Sequence, residues 1–232
     1  MKIKSLLTGA AVVVTAFSSQ AQQLDITITN LTQGIYYTPI IIGAHNAESS
    51  LFSAGEMASE SLQMMAEGGD ISGLSMMLTS NNADIVENPA EGLLAPTMTT
   101  TTTLDTTDGN MYLSLVAMML PTNDGFVGLD SWMIPSEAGT YTMTLNAYDA
   151  GTEANDEIIN GGGAPGVAGI PVAPGGDAGT GAIGVTMSEE NGYIHIHRGS
   201  LGDDDLSGGK SDLDNTVHRW LNPVARITVV VN

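Results

Sequence analysis

Cysteine is absent from the 232-residue chain. Its absence excludes disulfide cross-links, thiol catalysis and metal sites built on thiolates. It also removes the attachment point that a lipid anchor would need after an export signal. A chain of this length buries a sizeable core without cross-links.

Basic residues are scarce. The chain has 6 Lys and Arg against 26 Asp and Glu, and none of the basic residues lies between Gln22 and His197. Such a surface repels phosphate backbones, which excludes nucleic acid as a partner. It suits divalent cations or basic partners, but the same charge also keeps an exported protein in solution. Both interpretations stay open on composition alone.

Long apolar runs are also lacking. The longest, residues 6–17, follows Lys2 and Lys4 and precedes Ser19-Gln20-Ala21. It is shorter than the roughly 20 residues that a membrane-spanning helix needs. The pattern predicts a signal peptide over residues 1–21, with cleavage after Ala21 and export to the periplasm or the medium. One domain over residues 22–232 is expected to remain, with no transmembrane segment.

Motifs of common enzymes are missing as well. The chain has no Gly-x-Ser-x-Gly, no His-Glu-x-x-His and no Gly-Lys-Ser/Thr phosphate loop. The acidic run at residues 203–205 lies among Gly and Ser and is interpreted as solvated. These absences favour a protein that binds rather than one that catalyses.

The patterns that are present predict a mostly β protein. Apolar residues alternate over residues 24–30, and residues 111–120 are almost continuously apolar, as in a central strand buried on both faces. Further strands are predicted over residues 35–42, 97–104, 126–133, 141–148, 193–197 and 224–231. Pro39 indicates an edge strand or a bulge. Many short strands between turn signals favour a sandwich or a barrel.

One short helix and one long loop interrupt the strands. Ser53 and Glu56 form a capping-box pattern, and the apolar positions that follow share a helical face until Gly68-Gly69. Residues 160–184 are dense in Gly, Pro and Ala without periodicity. They predict a long mobile loop inside the domain.

Two acidic loops follow predicted strands. Residues 121–125 carry Asp124, with Asp130 six residues further on, and residues 148–157 carry Asp149 and Glu153. If the two preceding strands run parallel or share an edge, both loops meet at one end of the domain. Calcium is ligated by six to eight oxygen atoms of this kind. The alternative is a pair of solvated acidic turns.

A His-x-His pair is the other candidate site. On a strand, His195 and His197 point to the same face and have the donor type that zinc or copper prefers. No third ligand is evident nearby in the sequence. Histidines that pack on a sheet face are the competing interpretation.

The acidic loops carry a family resemblance. Residues 121–129 (PTNDGFVGL) and 148–153 (YDAGTE) resemble two motifs of spondin N-terminal domains, and residues 222–229 (NPVARITV) are similar to that family's closing strand. Residues 26–32 (ITITNLT) fit the family's bacterial members. The family's cysteines are missing here, and Gly125 stands where an aromatic residue follows the first acid.

The resemblance implies an antiparallel two-sheet β-sandwich, similar to a C2 domain, with Ca²⁺ bound near one end. Matched position by position, it assigns Asp124, Asp149 and Glu153 as calcium ligands, and Asp130 is added as a fourth. Relatives in animals act in the extracellular matrix and in adhesion.

Three functions therefore follow as hypotheses. The first is an exported calcium-binding β-sandwich, not an enzyme, that binds a surface, a glycan or a protein in the manner of adhesion proteins. The second is a metal-dependent enzyme or redox protein that uses His195 and His197. The third is a structural envelope or matrix protein without a specific ligand.

Overall fold

A computed structural model describes residues 21–176, 179–186, 188, 192–205 and 207–232 of the chain. The predicted signal peptide therefore lies outside the described residues, apart from Ala21. The elements, in chain order, are β1 Gln23–Asn30, β2 Tyr36–Tyr37, β3 Ile41–His45, α1 Glu60–Gly68, α2 Ser72–Ser80, β4 Asp84–Glu87, β5 Thr99–Asp105, β6 Tyr112–Leu120, β7 Gly125–Met133, β8 Gly139–Asp149, β9 His195–Ile196 and β10 Ala225–Val231.

The strands form one continuous antiparallel sheet, in the order β4-β3-β6-β7-β8-β10-β1-β5. The short strands β2 and β9 pair with β6 and β8. The predicted mostly β fold is confirmed, but the predicted division into two separate sheets is wrong. The cause is β8, whose residues 139–145 pair with β10 while residues 146–149 pair with β7. One strand thus belongs to both halves and joins them.

The two ends of this sheet come close to each other. The Oδ2 atom of Asp84, on the end strand β4, accepts hydrogen bonds from the Thr107 amide (2.6 Å) and from Asn110 Nδ2 (2.8 Å), both just beyond the other end strand β5. These bonds bridge the gap between the two end strands. The sheet is therefore nearly closed, and its shape is that of a barrel.

Strand β6 is buried on both faces, as its continuous apolar sequence predicts. Leu113, Leu115 and Ala117 point into the interior that the curved sheet encloses. Val116 and Met118, at the alternate positions, pack in a second core together with residues of both helices. The sheet consequently has one face toward the main core and part of the other covered by α1 and α2.

The structure has two helices where the sequence analysis predicts one. Helix α1 begins after Ser59, whose Oγ accepts from the Leu62 amide (3.2 Å), and ends at Gly69 with φ +73°. The Ser53–Glu56 pattern forms a turn instead, in which the Glu56 amide donates to the Ser53 carbonyl (3.2 Å). Helix α2 follows two residues after Gly69, and only its Leu74 and Leu78 are buried. Its apolar face is too narrow for periodicity to reveal it.

Within the residues that the structure covers, no helix is both long and apolar enough to cross a bilayer.

Pro39 does not mark an edge strand. It falls between β2 and β3, and β3 is paired on both sides, with β4 and with β6. The edge assignment is therefore wrong, and the proline acts instead as the break between two strands. Proline has no amide hydrogen to donate, and a continuous strand paired on both sides would need that donor.

Residues 160–184 contain no helix or strand in the described part of the chain. The segment is nevertheless attached to the domain. Ile170 is fully buried, its amide donates to the Ile158 carbonyl (2.7 Å), and the Gly166 amide donates to Glu67 Oε2 (2.7 Å) on α1. Its mobility stays a prediction, and Ile170 marks the point where the segment is anchored.

The main core allows a direct test of packing. We expect Leu115→Ala, at a fully buried position of β6, to lower the free energy of unfolding by about 2–5 kcal/mol, because it removes apolar contacts and leaves a cavity. Leu221→Ala is the matched control, since Leu221 is 83% exposed and its loss is expected to change stability by less than about 0.5 kcal/mol. Urea unfolding measures both, and equal effects would contradict the assigned core.

Candidate functional site

The two acidic loops lie against each other. Strands β6 and β8 flank β7, and each is antiparallel to it, so both end at the same side of the sheet. The loop after β6 then contacts the loop after β8. The Ala150 amide donates to the Asp124 carbonyl (3.2 Å), and the Glu157 amide donates to Asn123 Oδ1 (3.2 Å). Because β6 and β8 end at the same side of the sheet, the loops that follow them bring their carboxylates into one region.

Asp124 is the centre of this region and is fully buried. Its Oδ2 accepts hydrogen bonds from the amides of Thr152 (2.8 Å) and Glu153 (3.2 Å) and from the Thr152 hydroxyl (3.2 Å). Its Oδ1 has no hydrogen-bond partner. Burial raises the pKa of Asp124 to about 7, and repulsion from Asp149 acts in the same direction. The side chain therefore has one satisfied oxygen and one available oxygen.

Asp149 ends β8 and is 1% exposed. Its Oδ1 accepts from the Gly151 amide (2.8 Å), and its Oδ2 accepts from Asn155 Nδ2 (2.6 Å). Gly151 has φ +69°, and a Cβ atom there would lie 2.7 Å from the Tyr193 amide nitrogen. Only glycine fits this turn, which explains the glycine of the YDAGTE motif in physical terms.

Glu153 is also buried. Its Oε2 accepts from the Gly169 amide (3.0 Å) and, at the longer distance of 3.5 Å, from Asn123 Nδ2, while its Oε1 has no hydrogen-bond partner. Burial raises the pKa of Glu153 to about 8, and the charge of Glu67 adds to the shift. Glu153 thus connects the acidic loops to the glycine-rich segment and carries a second available oxygen.

Asp130 lies apart from this group. It is exposed on β7, five residues beyond the start of the strand, and its charge contributes to raising the pKa of Tyr148. Within the described residues, no hydrogen bond joins it to Asp124, Asp149 or Glu153. The structure thus brings together three of the four predicted ligands.

The histidine pair lies beside the acidic loops. His195 Nδ1 donates to the Tyr193 carbonyl (2.8 Å), and its Nε2 lies 3.9 Å from Asp149 Oδ2. His197 is buried, accepts at Nδ1 from the Gly199 amide (3.0 Å), and packs on Trp220 with ring centroids 4.9 Å apart. His195 therefore faces the cluster, and His197 packs in the sheet.

Several residues that support the site carry no signal of their own in the sequence. Asn123 bridges the loops by donating to Asp156 Oδ1 (2.8 Å), and the buried carboxylate of Glu157 accepts from the Gly202 amide (2.9 Å). Glu67 reaches the glycine-rich segment from α1. Their roles depend on contacts between segments up to 99 residues apart, as for Glu67 and Gly166. Asn123 and Glu157 lie within the two acidic loops predicted from the sequence, whereas Glu67 lies outside them.

The chemistry of the cluster is that of a hard-cation site. Three buried carboxylates come together in two loops that contain no Lys or Arg, and two of their oxygens lack a hydrogen bond. Carboxylate oxygens are the ligands that calcium prefers. Among the described residues, no group of three or more His, Asp or Glu side chains is placed so that it could hold a metal ion. The donor types fit calcium, and ligation would require these side chains to turn toward one point.

Comparison with known proteins agrees with the resemblance seen in the motifs. The model of the Spondin_N family matches residues 28–157, more than half of the chain, and this range runs from β1 to the end of the second acidic loop. The glycine-rich segment, the histidine pair and β10 lie outside the match. No curated protein sequence matches the chain. The match over most of the sheet and both acidic loops shows that the chain belongs to the Spondin_N family, whose domains are of the extracellular-matrix and adhesion type.

Proposed function

We propose that this protein is an exported, calcium-binding domain of the adhesion type that attaches to a protein or glycan outside the cell. Family membership supports the adhesion class. The observation that carries the calcium assignment is the fully buried Asp124 carboxylate, whose Oδ1 lacks a partner beside two further buried acids. A buried anion without a compensating charge is costly, and a bound cation removes that cost.

Asp124, Asp149 and Glu153 would hold the ion. Bound calcium supplies the positive charge that the two loops lack. Asp124 accepts from the Thr152 and Glu153 amides through its Oδ2, which leaves its Oδ1 available to the ion. Glu153 accepts from the Gly169 amide through its Oε2, which leaves its Oε1 available. Neutralising the cluster would stabilise both loops and the glycine-rich segment attached to them.

The first test is calcium-dependent stability. We expect calcium at ~100 times its dissociation constant to raise the free energy of unfolding by about 2.7 kcal/mol, because the ion binds the folded state. In the variant Asp124→Asn/Glu153→Gln, each side chain keeps its accepting oxygen and places an NH₂ group at the unpartnered position. This variant is expected to lose the calcium effect. Thermal melts with calcium and with chelator measure the difference.

The matched control for that variant is Asp105→Asn/Glu91→Gln, which removes the same charge from exposed positions elsewhere. It is expected to keep the full calcium response. A wild-type protein that melts at the same temperature in calcium and in chelator would refute the site, and an equal loss in the control variant would show a nonspecific charge effect.

The second test is the pH dependence of the metal-free protein. The pKa values of Asp124 (about 7) and Glu153 (about 8) lie above those of the unfolded chain, so the folded state binds protons more tightly. The contribution of both groups to stability is therefore greatest near pH 4 and is lost as the pH rises to about 8. Urea unfolding in chelator measures this as the difference between wild type and Asp124→Asn/Glu153→Gln.

The comparison with the variant is needed because other groups also titrate. The lowered pKa values of Asp203, Asp212 and Asp214 affect stability below about pH 4, outside this window. The lowered pKa of His218 makes stability rise with pH inside the window, and this contribution is the same in wild type and variant. Parallel curves for wild type and variant between pH 5 and pH 8 would contradict the raised pKa values.

A further inference from the structure

Threonines form a regular outer face on one half of the sheet. Strand β5 exposes Thr99, Thr101 and Thr103, and the first half of β8 exposes Thr140, Thr142 and Thr144. In both strands the positions between them point inward, so every outward position over five residues is a threonine. The two strands β1 and β10 lie between β5 and β8 in the sheet.

The middle strands continue the same face. Strand β1 contributes Thr27 and Thr29, and β10 contributes Thr228, all half-buried between the neighbouring columns. The remaining outward positions in this block are Asp25, Arg226 and Val230. The face therefore has one acid and one base among its twelve positions, on a chain whose net charge is −20.

The register aligns these residues into rows across the four strands. Thr101 pairs with Thr27, Thr27 with Thr228, and Thr228 with Thr142, which gives one row made of threonine alone. None of the three strand pairings contains a bulge. Neighbouring strands lie about 4.8 Å apart and alternate residues about 6.7 Å apart, so the hydroxyl and methyl groups repeat in two dimensions.

The side chains in this array are held in place. Thr29 Oγ1 lies 3.0 Å from Thr99 Oγ1, and Thr142 Oγ1 lies 3.1 Å from Thr228 Oγ1, so hydroxyls are hydrogen-bonded across neighbouring strands. Threonine is also stiff at χ1 because of its branched Cβ. The face is therefore ordered before any partner arrives, and binding costs little side-chain entropy.

From this juxtaposition we propose that the threonine face of β5, β1, β10 and β8 binds ice. An ice surface is uncharged and presents water oxygens at fixed repeats of a few ångströms. The threonine hydroxyls both donate and accept hydrogen bonds, and the methyl groups beside them order the water between the rows. A face almost free of charge matches such a surface, because ionic groups impose their own hydration geometry on water.

Two other occupants fit the observations less well. A polysaccharide surface is usually bound by stacked aromatic rings, and none of the twelve outward residues is aromatic. An acidic or basic protein would meet only one opposite charge on this face, Arg226 or Asp25. The face also lies at the opposite end of β8 from Asp149, so the proposal does not depend on the calcium site.

The test is ice recrystallisation in the presence of the purified full chain. We expect the wild type to stop crystal growth and Thr142→Lys to lose this effect, because the lysine projects from the all-threonine row and places a flexible charge on the face. Thr79→Lys is the matched control, since Thr79 is an exposed threonine on α2, and it is expected to act like the wild type. Thr101→Lys changes the exposed threonine at the other end of the same row and is expected to lose the effect as well.

Thermal melts of each variant establish that the fold is kept. The proposal is overturned if the wild type leaves ice growth unchanged, if Thr142→Lys and Thr101→Lys keep full activity, or if the wild type instead sediments with crystalline cellulose or chitin. A dimer in solution that the Thr142→Lys change dissociates would equally overturn it, by showing that a second copy covers the face.

Discussion

The hydrogen bonding of β8 determines how the rest of the molecule is arranged. Its first half pairs with β10 up to Leu145, and its second half pairs with β7 from Asn146 onward. Where the strand changes neighbours, the Ala147 amide donates to Asn222 Oδ1 (2.7 Å) and its carbonyl accepts from the His197 amide (3.1 Å). No backbone group is left unsatisfied at this residue, so the sheet can curve without a break. A break there would have produced the two separate sheets of a sandwich.

The same strand separates two surfaces of opposite character. Its first half carries threonines on a nearly uncharged face, whereas its second half ends at Asp149 among buried acids. The chain has a net charge of −20, yet the threonine face carries one acid and one base, and the cluster buries three carboxylates. At each of the two, the ordinary solvated acidic surface gives way to a different chemical environment. The two environments lie at opposite ends of β8.

Burial gives the acidic loops their chemistry. A solvated Asp or Glu keeps its usual pKa, but Asp124 and Glu153 are held inside the domain by amides of the opposite loop and of the glycine-rich segment. Those amides satisfy one oxygen of each carboxylate and leave the other available. The segment over residues 160–184 therefore contributes to the site, although its composition predicts only a loop. His195 and Glu67 join the surroundings from distant parts of the chain in the same way.

The sequence by itself determined most of the strands, the burial of β6 on both faces, the end of α1 at Gly69 and the loops that carry Asp124, Asp149 and Glu153. It could do so because alternation, continuous apolar runs and turn residues act over a few neighbours. It did not predict β4, and it predicted one strand where the structure has β2 and β3. Only the tertiary structure decided that β1 pairs with both β5 and β10, that β8 joins two halves into one nearly closed sheet, and that Asp130 stays outside the cluster. It also decided which carboxylates are buried. Pairing and burial depend on contacts between segments far apart in the chain, and such contacts leave no local pattern.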